Sequence, residues 1–388
     1  MKNKTNNNSN NDSLPWLKEN TILLTIAGSR AYGIHKPDSD IDLKGICIPP
    51  AKYFLGFNGH FEQADNSSHC AKYFDLLSPE LQDIASKTKL EGVVYDIRKF
   101  FSLAVKANPN ILDCLFCDES DILLITDAGR LLRENRSLFL SRIVKYSFGH
   151  YAYSQLARIQ SHRKWLLNPC NVYPKREDFG LKEKPEIAKN DLDAVNAMVK
   201  KQLDKWNEDI VSSLVDEDVR GRIKEGVGHM LKELAINTDT RFLASARGLG
   251  FNENFVQYLI QERNYASAVT NYNSYQEWKE ERNVARAAME AESGYDRKHG
   301  AHLYRLLASC KEVLETGEVN VRRTHDASTI KDIRNGLWSY EKLLDWATAQ
   351  FSILDELTNK SSLPSAPDAN KLDQLCEEIV REHLFGKQ

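Results

Sequence analysis

A chain of 388 residues, of which 41% are hydrophobic, is long enough for two domains and a sizeable core. Its net charge of −3 at pH 7 excludes a strong field that would steer the whole protein to nucleic acid, so any basic binding surface must be local. No apolar run approaches the roughly 20 residues that span a bilayer, so we expect no membrane-spanning helix and no membrane partner.

The N-terminus and the cysteines favour a cytoplasmic protein. Residues 1–14 are rich in Asn and contain no apolar segment, which predicts a disordered tail and not a secretory signal. The chain has seven cysteines, an odd and scattered set, and this favours reduced thiols. Cys114 and Cys117 form a C-x-x-C motif without a second pair at zinc-site spacing, so we interpret them as small buried hydrophobic residues.

Short apolar or alternating segments in the N-terminal third predict strands. Residues 20–27 are apolar and β-branched, and Gly28 ends this run. The next segment, SDIDLKGICIPP, alternates, so that its acidic residues and its lysine would face one way and its apolar residues the other. A third strand is predicted over residues 91–95. Residues 122–126 are apolar too, and their pattern is compatible with either a strand or the start of a helix.

The remaining segments predict helices. One helix follows the third strand directly, and another begins with Asn108 as its cap and Pro109 at its first position. From about residue 127 onward the amphipathic segments favour helices, and we find no convincing strand. The pattern therefore predicts an α+β fold, with a small α/β domain followed by a mostly helical domain. The predicted boundaries are a tail, an α/β domain, a helical domain, and a linker with a C-terminal helix, over residues 1–14, 15–126, 127–360 and 361–388.

Two carboxylates lie on the polar face of the second predicted strand. Asp40 and Asp42 are two residues apart, which places them side by side at about 7 Å between Cα atoms. Two anions at this distance favour a divalent cation between them, and Mg²⁺ prefers such hard oxygen ligands together with substrate phosphates. A third carboxylate from a neighbouring strand would complete a two-metal site for in-line phosphoryl or nucleotidyl transfer. A D-x-D motif alone is more often a solvated strand face.

The third carboxylate is either Glu91 or Asp96. Strand alternation places these two side chains on opposite faces of the third strand, and we favour Glu91. Asp38 precedes the second strand and is expected to cap the turn after Pro37.

A glycine and a serine follow the first strand. If a helix begins at Gly28, its free N–H groups and the positive end of its dipole form a seat for phosphate. Gly28 would let the backbone approach the phosphates, and Ser29 would donate its hydroxyl. His35 and Lys36 in the following loop either contact a triphosphate or are ordinary loop residues. A phosphate seat beside a metal pair is what a nucleoside triphosphate requires.

The segment GSRAYGIHKPDSDID resembles the signature of the DNA-polymerase-β nucleotidyltransferase superfamily. More closely, it is similar to the RNA-repair-pathway branch of RlaP-like predicted nucleotidyltransferases. Further resemblance lies in YDIRKFFSLAVKANPNILDCLF, HRKWLLNP and the helical block that begins KHGAHLYRLLASC. The resemblance implies a polymerase-β-like α/β domain with a mixed sheet, and a reaction that depends on Mg²⁺ or Mn²⁺. Glu91 stands where that family usually has an aspartate.

The resemblance also implies roles for individual residues. The catalytic metal ligands would be Asp40, Asp42 and Glu91, and the triphosphate would lie at Gly28, Ser29 and Arg30. A nucleoside triphosphate is the expected substrate, and an RNA end is the first candidate acceptor. A transferase that modifies proteins and a non-catalytic nucleotide- or RNA-binding module are the alternatives. The sequence does not predict the oligomeric state.

A basic stripe lies on one later helix. Lys298, His302 and Arg305 are spaced at i, i+4 and i+7, so they share a face beside an apolar stripe. This face is either solvated or turned to the cleft, and the resemblance favours phosphate contacts in the cleft. In that case loss of either Lys298 or Arg305 would weaken binding with little change in stability, and His302 would contribute more below about pH 6.5. Residues 162–165, HRKW, suit either base stacking or a buried Trp with snorkelling neighbours.

Overall fold

The computed structural model describes residues 14–57, 59–212, 242, 245–282 and 284–386. The predicted disordered tail lies outside the described residues, apart from Leu14. The chain divides into two compact units, which we call unit 1 (Met1–Leu166 with Val284–Gln388) and unit 2 (Leu167–Asn283). The boundaries of these units, after residues 166 and 283, differ from the predicted domain boundaries after residues 14, 126 and 360.

Unit 1 contains a five-stranded sheet with the order β3-β4-β2-β1-β5. Strands β2 and β4 are parallel and the other neighbouring pairs are antiparallel, so the sheet is mixed. The strands are β1 (Thr21–Ala27), β2 (Ile41–Cys47), β3 (Gln63–Ala64), β4 (Leu90–Asp96) and β5 (Ile122–Ile125). Of the two alternatives for residues 122–126, a strand or a helix start, the structure shows the strand. Strand β3 was not predicted, because two residues are too few to show alternation.

Helices make up most of the remaining chain, and no strand follows β5 within the described ranges. Together with the sheet they confirm the predicted α+β fold class. The helices between the strands and up to the end of the first segment of unit 1 are α1 (Gly28–Ala31), α2 (Lys52–Leu55), α3 (Ser67–Cys70), α4 (Pro79–Lys87), α5 (Ile97–Ala104), α6 (Pro109–Leu115), α7 (Asp127–Glu134) and α8 (Val144–Leu167). Those that follow are α9 (Lys189–Ser212), α10 (Glu253–Glu280), α11 (Val284–Ser293), α12 (Arg297–Thr316), α13 (Ala327–Arg334), α14 (Tyr340–Lys360) and α15 (Ala369–Phe385).

The starts of the helices that flank the sheet follow from side-chain caps. Asn108 accepts a hydrogen bond from the N–H of Asn110, and Pro109 takes the first position of α6, as predicted. Asp96 caps α5 through the N–H of Arg98. These caps fix where each helix leaves the sheet.

One apolar core joins the sheet to the last four helices, α12 to α15. It includes Leu23 of β1, Phe100 of α5, and the predicted apolar stripe of α12, which is fully buried. The predicted stripe residues are Leu303, Leu306, Cys310 and Val313. Because the C-terminal helices share this core with the α/β part, unit 1 contains chain segments from both predicted domains. Cys114 and Cys117 are also buried, in agreement with their interpretation as small hydrophobic residues.

Unit 2 has a small core of its own. Val199 of α9 packs with Val256 and Leu259 of α10. A largely buried ion pair between Arg176 and Glu262 accompanies this core, with Arg176 Nη1 at 3.0 Å from Glu262 Oε2. Within the described parts of the chain, no helix is both long and apolar enough to cross a membrane.

Candidate active site

Three carboxylates lie at the N-terminal ends of the parallel strands β2 and β4. We call this group the carboxylate edge: Asp40, Asp42 and Glu91. Asp40 directly precedes β2, and its Oδ1 accepts a hydrogen bond from the N–H of Lys89 at 3.3 Å. Asp42 lies within β2 and is paired in register with Glu91 on β4. The side chain of Glu91 is more than half exposed, whereas Asp42 is partly buried. The strand register therefore brings the three predicted metal ligands to the same place.

The carboxylate edge is electrostatically strained. Burial raises the pKa of Asp42 above its ordinary value, and the charges of Asp40 and Glu91 add to this increase. The ammonium groups of Lys44 and Lys298 act in the opposite direction. A divalent cation relieves the repulsion between neighbouring ionised carboxylates, and three carboxylates are a set of hard oxygen donors that fits Mg²⁺ or Mn²⁺.

The backbone at Gly28 packs directly against Asp42. A Cβ atom at Gly28 would lie 2.0 Å from Asp42 Oδ2, and the residue has a φ of +62°. Both the left-handed backbone and the close approach require glycine. The single turn α1 then begins, with Ser29 partly exposed at its start. Gly28 and Ser29 thus lie beside the carboxylate edge, as the predicted phosphate seat requires.

Arg30 lies on the inner side of the same turn. Its guanidinium is buried and donates to the carbonyl oxygens of Ser39 at 2.8 Å and Asp40 at 3.4 Å. These two bonds hold the segment that leads into β2. The structure thus makes Arg30 a support for Asp40, while its predicted contact with a triphosphate stays a prediction.

The two candidates for the third carboxylate lie at opposite ends of β4. Glu91 pairs with Asp42, whereas Asp96 pairs with Cys47 five residues further along both strands. Asp96 is buried, caps α5 and forms an ion pair with Arg98 at 2.6 Å. The structure therefore brings Glu91, and not Asp96, to the carboxylate edge.

The basic stripe on α12 does not have a uniform environment. Lys298 is exposed, and its charge acts on the pKa of Asp42, so it lies near the carboxylate edge. His302 is partly buried beside the ring of Tyr151, and burial, followed by the charge of Arg305, lowers its pKa to about 3. The expectation that His302 titrates near pH 6.5 is therefore wrong, because a buried imidazole next to cations disfavours its charged form.

Arg305 belongs to a buried polar cluster that also contains Tyr32, Lys44 and Asp113. Arg305 is 3% exposed, pairs with Asp113 Oδ2 at 3.2 Å and lies 4.0 Å from the centre of the Tyr32 ring. Tyr32 donates its hydroxyl to the same carboxylate oxygen at 2.6 Å. Lys44 donates to the carbonyl oxygen of Asn110 at 2.8 Å, and burial lowers its pKa. Arg305 is thus engaged in the interior of unit 1.

Local sequence patterns account for only part of this surrounding network. Lys44 follows Asp42 by two residues on the same strand face, so alternation places it near the site, but nothing in the pattern showed its burial. Tyr32 and Asp113 are 81 residues apart, and no spacing rule links them. The loop after α1 is also held by Arg334, whose Nη1 donates to the carbonyl oxygen of Ile34 at 2.7 Å. Such long-range contacts leave no local sequence signal.

Residues 162–165 end in a buried tryptophan. Trp165 is buried, and the ring of His162 stacks on it at 5.5 Å between centroids. Arg163 lies over the ring of Tyr340 at 4.2 Å and donates to the carbonyl oxygen of Gly294. Of the two interpretations of this segment, the buried Trp is the one that the geometry favours.

Comparison with known proteins places the N-terminal part of the chain near one family. Residues 5–168 match the family model RlaP, described as the RNA repair pathway DNA polymerase beta family. The predicted resemblance is thereby confirmed over a range that contains the whole carboxylate edge. An uncharacterised 38.9 kDa protein of Enterobacteria phage T4, from the nrdC-mobD intergenic region, is 26% identical over 132 residues. That match covers 34% of this chain and 36% of the phage protein, so it spans about a third of the relative's length. No solved structure matches the chain.

Proposed function

We propose that the protein is a Mg²⁺-dependent nucleotidyltransferase. It would move a nucleoside monophosphate from a triphosphate to an acceptor hydroxyl and release pyrophosphate. The observation that carries the proposal is the pairing of Asp42 with Glu91 across parallel strands, with Asp40 beside them and the Gly28 backbone against Asp42. The match to a polymerase-β family over the same residues supports it.

The donor set determines how each residue would act. Asp40, Asp42 and Glu91 would hold Mg²⁺ or Mn²⁺, which supplies positive charge to the triphosphate and to the attacking hydroxyl. Gly28 and Ser29 would position the phosphates through backbone N–H groups and the serine hydroxyl. Lys298 would add a positive charge beside the same phosphates, because its ammonium group is close enough to Asp42 to lower the pKa of that carboxyl.

An RNA end is the acceptor that we propose first. The support for it is the printed description of the matched family, which refers to an RNA repair pathway. A protein side chain is the second candidate acceptor. A non-catalytic binding module is disfavoured, because a pure binder gains nothing from three adjacent carboxylates that repel each other. A cytoplasmic location is proposed on the seven cysteines, none of which is in a disulfide.

A transfer assay tests the proposal. The protein is incubated with Mg²⁺ and each α-labelled nucleoside triphosphate, together with an RNA pool or a protein pool. We expect label to enter the RNA fraction with release of pyrophosphate, and to be absent for an Asp40→Asn, Asp42→Asn double variant. Label in the protein fraction alone would support the second acceptor. Triphosphate binding without transfer to either pool would favour the binding module and contradict the proposal.

A further inference from the structure

The loop that follows α1, residues 32–36, continues the predicted phosphate seat. The N–H of Ile34 donates to the carbonyl oxygen of Ser29 at 3.0 Å, so the loop folds back onto the first turn of α1. The carbonyl oxygen of Ile34 accepts a hydrogen bond from Nη1 of Arg334 at 2.7 Å. A single loop residue therefore connects Ser29, beside the carboxylate edge, with the last residue of α13.

Arg334 differs from Arg322, which also approaches this loop, in how its charge is compensated. The guanidinium of Arg322 donates to both carboxylate oxygens of Asp121 at 2.8 Å. Among the described residues, no carboxylate forms an ion pair with Arg334, and burial is what lowers the pKa of its guanidinium. A guanidinium has several N–H donors, and this partly exposed side chain directs one of them to Ile34, which leaves others for a ligand.

Further positive charge lies at the same loop. Lys331 precedes Arg334 by three residues, so both lie on one face of the last turn of α13. Lys331 and Lys36 are exposed, and neither forms an ion pair within the described ranges of the chain. Burial lowers the pKa of His35, and three positive side chains add to this decrease: Arg30, Lys331 and Arg322. His35 therefore lies in a positive local field.

Basic residues in the last turn of a helix also have an ordinary explanation, because they compensate the negative end of the helix dipole. That explanation accounts for Lys331, whose side chain is exposed. It does not account for Arg334, which turns to a loop carbonyl 300 residues away in the chain. A guanidinium held next to Ser29 without an acidic partner is explained by a ligand that supplies the negative charge.

We propose that Arg334 and Lys331 bind the terminal phosphate of the donor triphosphate and so select donors by their number of phosphates. Guanidinium and ammonium groups bind phosphate through charge-assisted hydrogen bonds, and Arg can use two donors at once. The acceptor attacks the α-phosphate at the carboxylate edge, so the outer phosphates lie at Ser29 and beyond it. Arg334 is one hydrogen-bonded residue beyond Ser29. The identity of this ligand rests on the proposed function.

Equilibrium binding in the absence of an acceptor tests the proposal. The full chain is titrated in Mg²⁺ with each common nucleoside triphosphate and with the matching monophosphate. We expect the wild type to bind the triphosphate more tightly. Arg334→Gln should weaken triphosphate binding by roughly 10–100-fold, as for the loss of a charge-assisted hydrogen bond, and monophosphate binding by less than about 2-fold. Lys331→Gln should weaken triphosphate binding by roughly 3–10-fold, because an exposed ammonium group contributes less.

Further variants separate phosphate binding from the folding of the loop. Arg334→Gln keeps an amide that can donate to the carbonyl oxygen of Ile34, and Arg334→Lys keeps the charge and should restore part of the preference for the triphosphate. Lys331 is exposed, so its substitution should leave the melting temperature unchanged. Arg381→Gln removes an exposed arginine of α15 and is the matched control, for which we expect wild-type affinities.

Two results would overturn the inference. One is an equal ratio of triphosphate to monophosphate affinity in the wild type, Arg334→Gln and Lys331→Gln. The other is weaker binding of a single-stranded RNA oligomer with unchanged triphosphate affinity, which would assign both cations to the acceptor backbone. Failure of the proposed function is distinguishable, because the wild type would then select triphosphates through Arg334 and yet transfer no label. Transfer with the same Michaelis constant for the triphosphate in Arg334→Gln would overturn the inference alone.

Discussion

The two ends of the polar face of β2 differ in how their charges are compensated. At one end the carboxylate edge gathers three acids, two of them exposed, which raise the pKa of Asp42 together with burial. At the other end the buried polar cluster pairs Arg305 with Asp113 and gives Lys44 a carbonyl partner. Asp42 and Lys44 are two residues apart on the same strand, so this difference arises from the surroundings and not from the strand itself.

Charge compensation distinguishes the residues of a functional site from the residues that support the fold around it. A cluster whose charges are matched within the protein contributes to the fold, and breaking it leaves an uncompensated buried charge. A group of like charges that the protein does not match costs stability, and it is kept where a ligand can complete it. We therefore expect substitutions at the carboxylate edge to change activity, and substitutions in the buried polar cluster to change stability.

The largest expected effect is that of Asp42→Asn. Loss of a metal ligand should lower the transfer rate by about 10²–10³ or more, since it removes charge stabilisation in the transition state. The melting temperature at neutral pH should stay constant or rise. Because the folded-state pKa of Asp42 is raised, its contribution to stability is lost as pH rises through that pKa, and Asn removes this loss. Thermal unfolding at acidic and neutral pH, beside the transfer assay, measures both quantities. A variant that is inactive only because it unfolds would contradict the assignment.

A second prediction compares Gly28, the first residue of α1, with Gly33, which lies just after that helix. Gly28 and Gly33 both have a positive φ, so alanine should cost each about 1–2 kcal/mol of backbone strain. The new Cβ would lie 2.0 Å from Asp42 Oδ2 at Gly28, but 3.8 Å from its nearest neighbour, in Arg322, at Gly33. Gly28→Ala should therefore abolish most activity by displacing Asp42, whereas Gly33→Ala should keep it. Equal activity in the two variants, measured at a temperature where both are folded, would show that Asp42 need not lie against Gly28.

The third prediction concerns two cations of α12. Arg305→Ala leaves the Asp113 carboxylate buried without its ion pair and should lower the free energy of unfolding by about 3–5 kcal/mol. Lys298→Ala should change stability by no more than about 0.5 kcal/mol and weaken triphosphate binding by about 1–3 kcal/mol. Denaturant unfolding and equilibrium binding separate these effects. This corrects the expectation from spacing, which gave both residues the same small effect on stability.

If both alanine variants were as stable as the wild type, the comparison between the two ends of β2 would lose its basis. The double variant Arg305→Met, Asp113→Leu sharpens the test, because replacing both partners by apolar groups removes the buried charge that the single variant leaves. It should be clearly more stable than Arg305→Ala.

The sequence was sufficient for the parts of the fold and site that local patterns encode. Alternation placed Asp42 and Lys44 on one face of β2, and the Asn-Pro pair placed the start of α6. The sequence did not predict the features that depend on packing between residues far apart in the chain. Arg305 and Lys298 have the same spacing signal, yet only the fold makes one buried and the other exposed. The division into units likewise depends on a core that joins segments more than a hundred residues apart.

The smallest effect at neutral pH is expected for His302→Gln. Burial and the charges of Arg305, His299, Lys298 and Lys44 lower the pKa of His302 to about 3, so its ring is neutral at pH 7 in the folded protein. Triphosphate binding should therefore not strengthen between about pH 7.5 and pH 5.5 through this residue, in contrast to an ordinary histidine.

The contribution of His302 should appear in the free energy of unfolding at acidic pH. Its pKa is lower in the folded state than in the unfolded chain, so its contribution is fully present above about pH 6.5 and is lost as pH falls toward the folded pKa of about 3. His302→Gln should lose less stability than the wild type over this range, and the exposed control His60→Gln should follow the wild type. Urea unfolding in steps from about pH 7 to pH 4 measures the difference. Parallel curves for all three proteins would mean that His302 is not held neutral by the fold. In that case a charged His302 would join Lys298 as a cation beside the carboxylate edge.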